Sequence, residues 1–348
     1  MTSALSQEPT RAQLGTNKQS SIVRALLLLM ILSALAASAI GSFDVSLIKL
    51  LLGQGSSLQV SVITEIRLPR ILLSAVVGAS LGISGAALQG LFRNPLADPG
   101  LIGVSAGAAL GAATMIVITP AAISDSAIQP ILLPLAGIIG AASVTLLLYA
   151  LTRGFAYRGM TTMLLVGIAI NAIVGVAIGI LTYISTDAEL RTLTFWTMGS
   201  FGGIGWSLLV PALLGILWAT TYLLPSRTSL DLVQLGEIEA YRLGVDIRKL
   251  KFRIVIATAT LVGCSVALSG MIGFVGLVVP HLARLIGGVN HIYLLPASAT
   301  LGAVLMIIAD LLARTLIQPA ELPIGLITSA IGSPFFLWLV FRMKNNDY

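Results

Sequence analysis

The sequence predicts an all-α polytopic membrane protein with ten transmembrane helices. Three observations carry that prediction. Charged residues make up 10% of the 348 residues, far below the roughly 25% of an average soluble domain, too few to cover a water-facing surface. The hydrophobic set is 57% of the chain and mean hydropathy is +0.99. The apolar residues gather in runs near or above about 18 residues, the length that reads as a membrane span. A β-barrel is disfavoured because its strands alternate apolar and polar residues, and the apolarity excludes disorder.

The elements follow in order. Residues 1–21 are polar, with Pro9, Arg11, Asn17 and Lys18, and read as a loose cytoplasmic tail. Apolar runs lie at 22–40, 70–92, 100–118, 130–151 and 161–184. The stretch 190–205 is amphiphilic and too short to span alone. A sixth run covers 206–224, and the longest charged stretch, 225–253, follows it. Runs at 254–270, 272–287 (interrupted by Pro280), 294–312 and 322–341 complete the ten, and a basic tail covers 342–348. The organisation is a tail, one ten-helix domain over 22–341, and a second cytoplasmic tail. Ten spans place both termini on one side. That side holds all the lysines and arginines except Lys49, Arg67, Arg70, Arg191 and Arg314, so the positive-inside rule puts both termini in the cytoplasm. The first run has one alternative: a basic start and Ala37-Ser38-Ala39 also fit a cleaved signal, which would leave nine spans in the same orientation.

The net charge of +6 is explained by these basic loops rather than by nucleic acid. The lone cysteine, Cys264, sits in an apolar run, cannot form an internal disulfide, and reads as a small buried residue. Gly78/Gly82, Gly103/Gly107/Gly111, Gly175/Gly179 and Gly199/Gly203 are spaced four apart, which lets helix backbones approach closely in lipid. Intramembrane Gln89 and Asn171 read as interhelical hydrogen-bond partners.

Reactive chemistry is missing. The chain has no G-x-x-x-x-G-K-[ST] and no H-E-x-x-H, and His281 and His291 have no cysteine nearby to complete a metal site. Asp310 is the ionisable group found within a span, four residues from Arg314 and so spaced for an ion pair. A secondary transporter would need more buried coupling groups, and a membrane enzyme a reactive constellation. The sequence points instead to a passive pathway powered by another chain. In the charged stretch, Gly236 and Gly244 bracket a short helical pattern, either a solvated loop or a helix that docks on a partner protein.

Six stretches run in order between about 65 and 340. They are Arg67-Leu-Pro-Arg70; Gly85-Ala-Ala-Leu-Gln-Gly-Leu-Phe-Arg-Asn-Pro-Leu-Ala-Asp-Pro-Gly-Leu-Ile-Gly-Val-Ser-Ala-Gly107; Phe195-Trp-Thr-Met-Gly-Ser200; Leu235-Gly with Leu243-Gly-Val245; Gly270-Met-Ile-Gly-Phe-Val-Gly-Leu-Val-Val-Pro-His281; and Glu321-Leu-Pro-Ile-Gly325. Together they resemble the FecCD family, the permease subunits of ABC importers for iron-siderophores, haem and cobalamin.

The resemblance implies the type II ABC importer permease fold in a bacterial inner membrane. It implies a homodimer with one path on its twofold axis, two ATPase subunits beneath and a periplasmic binding protein above. No cofactor is held permanently; ATP binds the partner ATPase, and the permease hydrolyses nothing. The stretch 225–250 resembles the coupling helices, with Leu235, Gly236, Ala240, Leu243 and Gly244 at the ATPase contact. The segment 190–203 resembles the short helix at the path mouth. Phe195, Trp196, Met198 and Ser200 are pathway candidates there, with Arg191 placed to attract cargo carboxylates; the alternative for Phe195 and Trp196 is an interfacial aromatic belt. Arg67, Arg70 and Arg314 match arginines that receive glutamates of the binding protein. The local alternative pairs Arg67 with Glu65 or lipid phosphate, and Arg314 with Asp310.

Two departures stand out. The family often reads Asp-His-Arg where this chain has Asn290-His291-Ile292, and the importer pattern E-A-A-x-x-x-G is only approximated by Glu239-Ala240-Tyr241 and Gly244, one residue short. Asn94-Pro-Leu-Ala-Asp-Pro-Gly100 and Leu193-Thr-Phe-Trp-Thr-Met-Gly-Ser200 look most like the haem-importing branch, which makes haem the expected cargo; a ferric siderophore or cobalamin is the alternative.

Overall fold

A computed structural model describes residues 11–41, 43, 52–118, 129–152 and 159–345. Helix α1 covers Arg11–Ala39. Helix α2 (Ser57–Ser61) leads through a π-helical turn (Val62–Arg67) into α3 (Leu68–Phe92). A 3-10 turn (Pro99–Ile102) precedes α4 (Val104–Ile118), which is followed by α5 (Gln129–Thr152) and α6 (Gly159–Ile184). The short α7 (Asp187–Met198) and then α8 (Trp206–Leu223) come next. The charged stretch holds a 3-10 turn (Leu224–Ser226), α9 (Arg227–Val233) and α10 (Glu237–Arg242). Helices α11 (Ile247–Ser269), α12 (Val275–Gly287), α13 (His291–Ala313) and α14 (Ile324–Asn345) complete the described chain. Among the described residues, 7 helices are long and apolar enough to cross a membrane. Three shorter apolar helices, Val104–Ile118, Val275–Gly287 and Ile324–Leu339, coincide with the remaining apolar runs. The chain is a multi-pass membrane protein.

Three boundaries differ from the sequence reading. The segment read as a loose tail is helical from Arg11 onward. Its Ala, Gln, Leu and Lys residues are good helix formers, and Gln19 Nε2 donates to Gly287 O at 2.9 Å, tying it to the end of α12. The second run begins its helix at Ser57, where Ser56 and Gln59 form a capping box. The ladder then widens, and Leu68 N–H bonds Ile63 O. In that register the next donor would be residue 69, a proline with no N–H. The freed Thr64 carbonyl accepts the Trp206 indole N–H at 2.9 Å instead. Pro280 does not interrupt its run: α12 passes through it, and Gly276 O, which Pro280 cannot serve, accepts from Gln89 Nε2 at 3.3 Å.

The core is built around α3, which is buried along nearly its whole length. Gly78 lies against Gly302 of α13, and a Cβ on Gly78 would sit 2.1 Å from the Gly302 carbonyl oxygen. Gly82 faces Ser298 O, and Gly85 faces Gly276 of α12. Gly107 and Gly111 play the same part between α4 and α5. The other small pairs do not. Gly175 and Gly179 meet nothing within 4 Å, and Gly199 and Gly203 lie in the turn after α7.

Candidate functional site

Three places on this frame gather the residues singled out by sequence. The first is the charged stretch. Leu230 and Val233 of α9 are fully buried and hold the segment to the helix bundle. Beyond them, Leu235, Ile238, Tyr241 and Leu243 are 63%, 70%, 72% and 57% exposed, an apolar patch set among charged residues. An exposed patch of this kind marks an interaction surface. Gly236 (φ 115) starts α10, and Gly244 (φ 89) ends it. At that end Gly244 N–H bonds Tyr241 O at 3.0 Å and Val245 N–H bonds Ala240 O at 2.9 Å, a Schellman closure. Ala240 is fully buried, so it supports the patch from beneath rather than lying on it. Lys251 Nζ pairs with Glu237 at 3.1 Å, joining α10 to α11. Asp246 caps α11 by accepting from Lys249 N–H at 3.0 Å. That bond, with the nearby Lys249 ammonium, holds its carboxyl below the ordinary carboxylate range.

The second place is the end of α3 where the three arginines meet. Arg70 grips Asp310 with both arms of its guanidinium, Nε–Oδ1 3.0 Å, Nε–Oδ2 3.1 Å and Nη2–Oδ1 2.9 Å. Its third nitrogen donates to Glu321 Oε1 at 2.8 Å. Arg314 Nε lies 3.8 Å from Asp310 Oδ2, and its Nη2 donates to Ala37 O. Arg67 donates to Ser38 O at 2.6 Å, to Ala39 O at 3.1 Å and to Phe43 O. The carbonyls of Ala37, Ser38 and Ala39 are the last of α1, where helices lack intrahelical partners and favour cations. Arg67 and Arg314 are buried, and Arg70 is nearly so. The guanidinium groups expected to face a partner thus turn inward. Arg314 adopts its local pairing with Asp310, while Arg67 donates to α1 carbonyls.

The third place is α7. Thr186 and Glu189 form a capping box that starts it. Arg191 and Phe195 are exposed, Trp196 and Met198 half-buried, and Ser200 lies exposed in the following turn. The turn is knitted to two other breaks in the bundle: Ser200 N–H bonds Ser269 O at 2.8 Å, and Ile324 N–H bonds Gly199 O at 3.0 Å. The ends of α7 and α11 and the start of α14 therefore converge. Gln89 and Asn171 join elements as anticipated. Gln89 also accepts from Arg284, and Asn171 Nδ2 donates to Gly100 O at 2.9 Å. Asn290, one of the departures, caps α13 by accepting from Ile292 N–H at 2.8 Å.

Comparison with known proteins decides what this frame is. Residues 25–342 match the FecCD transport family. The chain belongs to the FecCD transport family. The hemin transport system permease HmuU of Yersinia pestis is 44% identical over 324 residues, 92% of this chain and 95% of that one. The vitamin B12 import system permease BtuC of Vibrio vulnificus is 42% identical over 289 residues, 82% of this chain and 85% of that one. A solved inward-facing conformation of an ABC transporter assigned to the metal-chelate type matches with TM-score 0.82 and 35% identity, covering 93% of this chain and 99% of its own.

As a FecCD permease, the chain is the membrane subunit of an ABC importer, a family that works with an ATPase and a periplasmic binding protein. Sequence reading located the patch by Leu235 and Leu243 but passed over Ile238 and Tyr241. The signal was available: two large apolar residues three apart among glutamates and arginine. It also missed Glu321 as a partner of Arg70, because 251 residues separate them.

Proposed function

We propose that this FecCD permease carries haem from a periplasmic binding protein across the inner membrane to the cytoplasm. The observation that carries the cargo assignment is the match to a hemin permease over 92% of the chain. The match to vitamin B12 permeases at 42% identity keeps cobalamin as a second reading, and a ferric siderophore is the third. In this reading the chain works as a homodimer of ten-helix protomers with both termini in the cytoplasm. The unpacked glycines Gly175 and Gly179 of α6 support a further helix meeting that face. The patch of Leu235, Ile238, Tyr241 and Leu243, turned by Gly236 and Gly244 and backed by Ala240, seats in the ATPase, which supplies all ATP chemistry.

Arg191, Phe195, Trp196, Met198 and Ser200 line the mouth of the path. Arg70 receives a carboxylate of the binding protein, and Arg67 and Arg314, turned inward, contribute positive charge behind it. The cluster of these three with Asp310 and Glu321 keeps one excess positive charge, which favours an incoming carboxylate. Glu321, 47% exposed, is the group such a carboxylate would displace from Arg70. Reconstitution in liposomes with the ATPase and the binding protein tests the reading. Hemin should stimulate ATP hydrolysis and be taken up, whereas cobalamin and a ferric siderophore should do neither. Uptake of cobalamin without uptake of hemin would replace the cargo assignment.

A further inference from the structure

Helix α9 carries a carboxylate that the coupling surface does not use. Asp231 Oδ1 accepts the backbone N–H of His291 at 3.0 Å and lies 2.6 Å from its Nδ1. His291 is the first residue of α13 and is 3% exposed. A carboxylate only accepts, so Nδ1 carries the hydrogen. His291 Nε2 is buried with no partner among the described residues, which fits a bare lone pair better than an N–H that would be left unbonded. The ring is seated against Gly90, the C-terminal part of α3: a Cβ there would lie 2.3 Å from Nε2. Gln234, three residues beyond Asp231, donates to Gly90 O at 2.8 Å and to Leu230 O at 3.1 Å. One spot thus joins α9, the end of α3 and the start of α13, one residue before the exposed patch begins at Leu235.

The position of the pair gives it consequence. Asp231 places a negative charge at the N-terminus of α13, where unsatisfied N–H groups and the helix dipole favour it. The bond is charge-assisted and, with His291 3% and Asp231 29% exposed, partly shielded from water, which strengthens it. Helix α13 is 23 residues long, about 34 Å at 1.5 Å per residue. Its far end carries Asp310 and leads into Arg314, which together with Arg70 hold the arginine cluster. Along its length it packs closely on α3 through Gly302 and Ser298, so a shift at one end of α13 is resisted along the whole helix.

We propose that Asp231 and His291 are a positioning pair that fastens the coupling segment to α13, and so links the ATPase contact to the arginine cluster at the opposite end. This rests on the coupling role assigned above. Neither residue lies on the exposed patch. Losing the pair should therefore leave assembly with the ATPase and basal hydrolysis intact while breaking transmission.

The test uses the full chain with its ATPase and binding protein in proteoliposomes. Asp231→Ala, His291→Leu and the double variant are compared with the natural chain for ATPase capture, basal hydrolysis, binding-protein stimulation and uptake. Each single variant should keep capture and basal hydrolysis within twofold and lose about tenfold in stimulation and uptake. The double variant should be no worse than either single. His291→Asn, which keeps a donor near the Nδ1 position, should restore stimulation to within a few-fold of the natural chain. The pair is refuted if both singles keep normal stimulation, if their losses multiply in the double variant, or if His291→Asn is folded yet as impaired as His291→Leu. Should Asp231→Ala or His291→Leu fail to fold, His291→Asn decides alone: stimulation within a few-fold of the natural chain supports the pair, and a loss of about tenfold in a folded protein refutes it. Failure of the natural chain itself to capture the ATPase overturns the coupling assignment and the link with it. Normal stimulation across all variants overturns the link only.

Discussion

Replacing Arg70 by Gln removes the guanidinium that holds Asp310, a carboxylate only 2% exposed, through both of its oxygens. Breaking a buried ion pair by deleting one partner costs about 3–5 kcal/mol, because the surviving charge is left without compensation. Two features of the structure set the value near the low end. Arg314 remains 3.8 Å from Asp310 Oδ2 and offers partial replacement. Glu321, the other partner, is 47% exposed, and an ion pair open to water contributes at most about 1 kcal/mol. The expected loss is therefore about 3 kcal/mol, a drop in thermal midpoint on the order of 10 °C. The assay is thermal unfolding of purified protein in one detergent, with Arg70→Gln, Asp310→Asn and the double variant side by side. Asp310→Asn should recover most of the loss in the Arg70→Gln background, since the stranded charge is then gone. An Arg70→Gln midpoint within about 2 °C of the natural chain, or no recovery in the double variant, would show that the pair does not hold this end of the bundle.

Three further outcomes follow from the geometry. Gly85→Ala would place a methyl 1.8 Å from Gly276 O, backbone that has no side chain to swing away; α3 and α12 must separate, at a cost of about 1–3 kcal/mol or more, read as a lowered thermal midpoint. Tyr241→Glu puts a charge at the centre of the exposed patch and should weaken ATPase capture at least tenfold in a pull-down without lowering the thermal midpoint; undiminished capture would move the contact elsewhere. Asp246, with its carboxyl held below the ordinary range by the Lys249 amide, supports the start of α11 fully above the unfolded value of about 3.9. That support is lost as pH falls through the lower folded value. Hydrogen exchange at the Lys249 amide should accelerate over that range beyond its intrinsic rate, and Asp246→Asn should remove the pH dependence. Parallel behaviour of the two would assign the protection to something else.

The sequence by itself determined the class, because lipid leaves few options. Apolar runs of this length must be helices, since no water is present to serve an open backbone, and all the long runs appear as helices. It also located the exposed apolar patch beside Gly236 and Gly244 and the short helix α7, because both lie in short segments set apart from the long apolar runs by local composition. Gly78 and Gly82 were legible as packing positions for the same reason.

Tertiary structure decided what pairing across the chain decides. Gly199 and Gly203 share the spacing of Gly78 and Gly82 yet serve a turn, because spacing records a helix face only where a helix continues. Arg67 matches an arginine that receives a partner's glutamate, but here the end of α1 folds over it, and the orphan carbonyls there draw the guanidinium inward. Pro280 looked like a break, yet Gln89 from another helix serves the carbonyl it leaves free. Ala240 was grouped with Leu235 and Leu243, yet it lies fully buried beneath them, its carbonyl taken by Val245 in the Schellman closure. In each case the deciding partner lies on another element or in a closure of the chain. Burial makes its polar groups seek that partner wherever the fold brings it, and no local pattern records where that is.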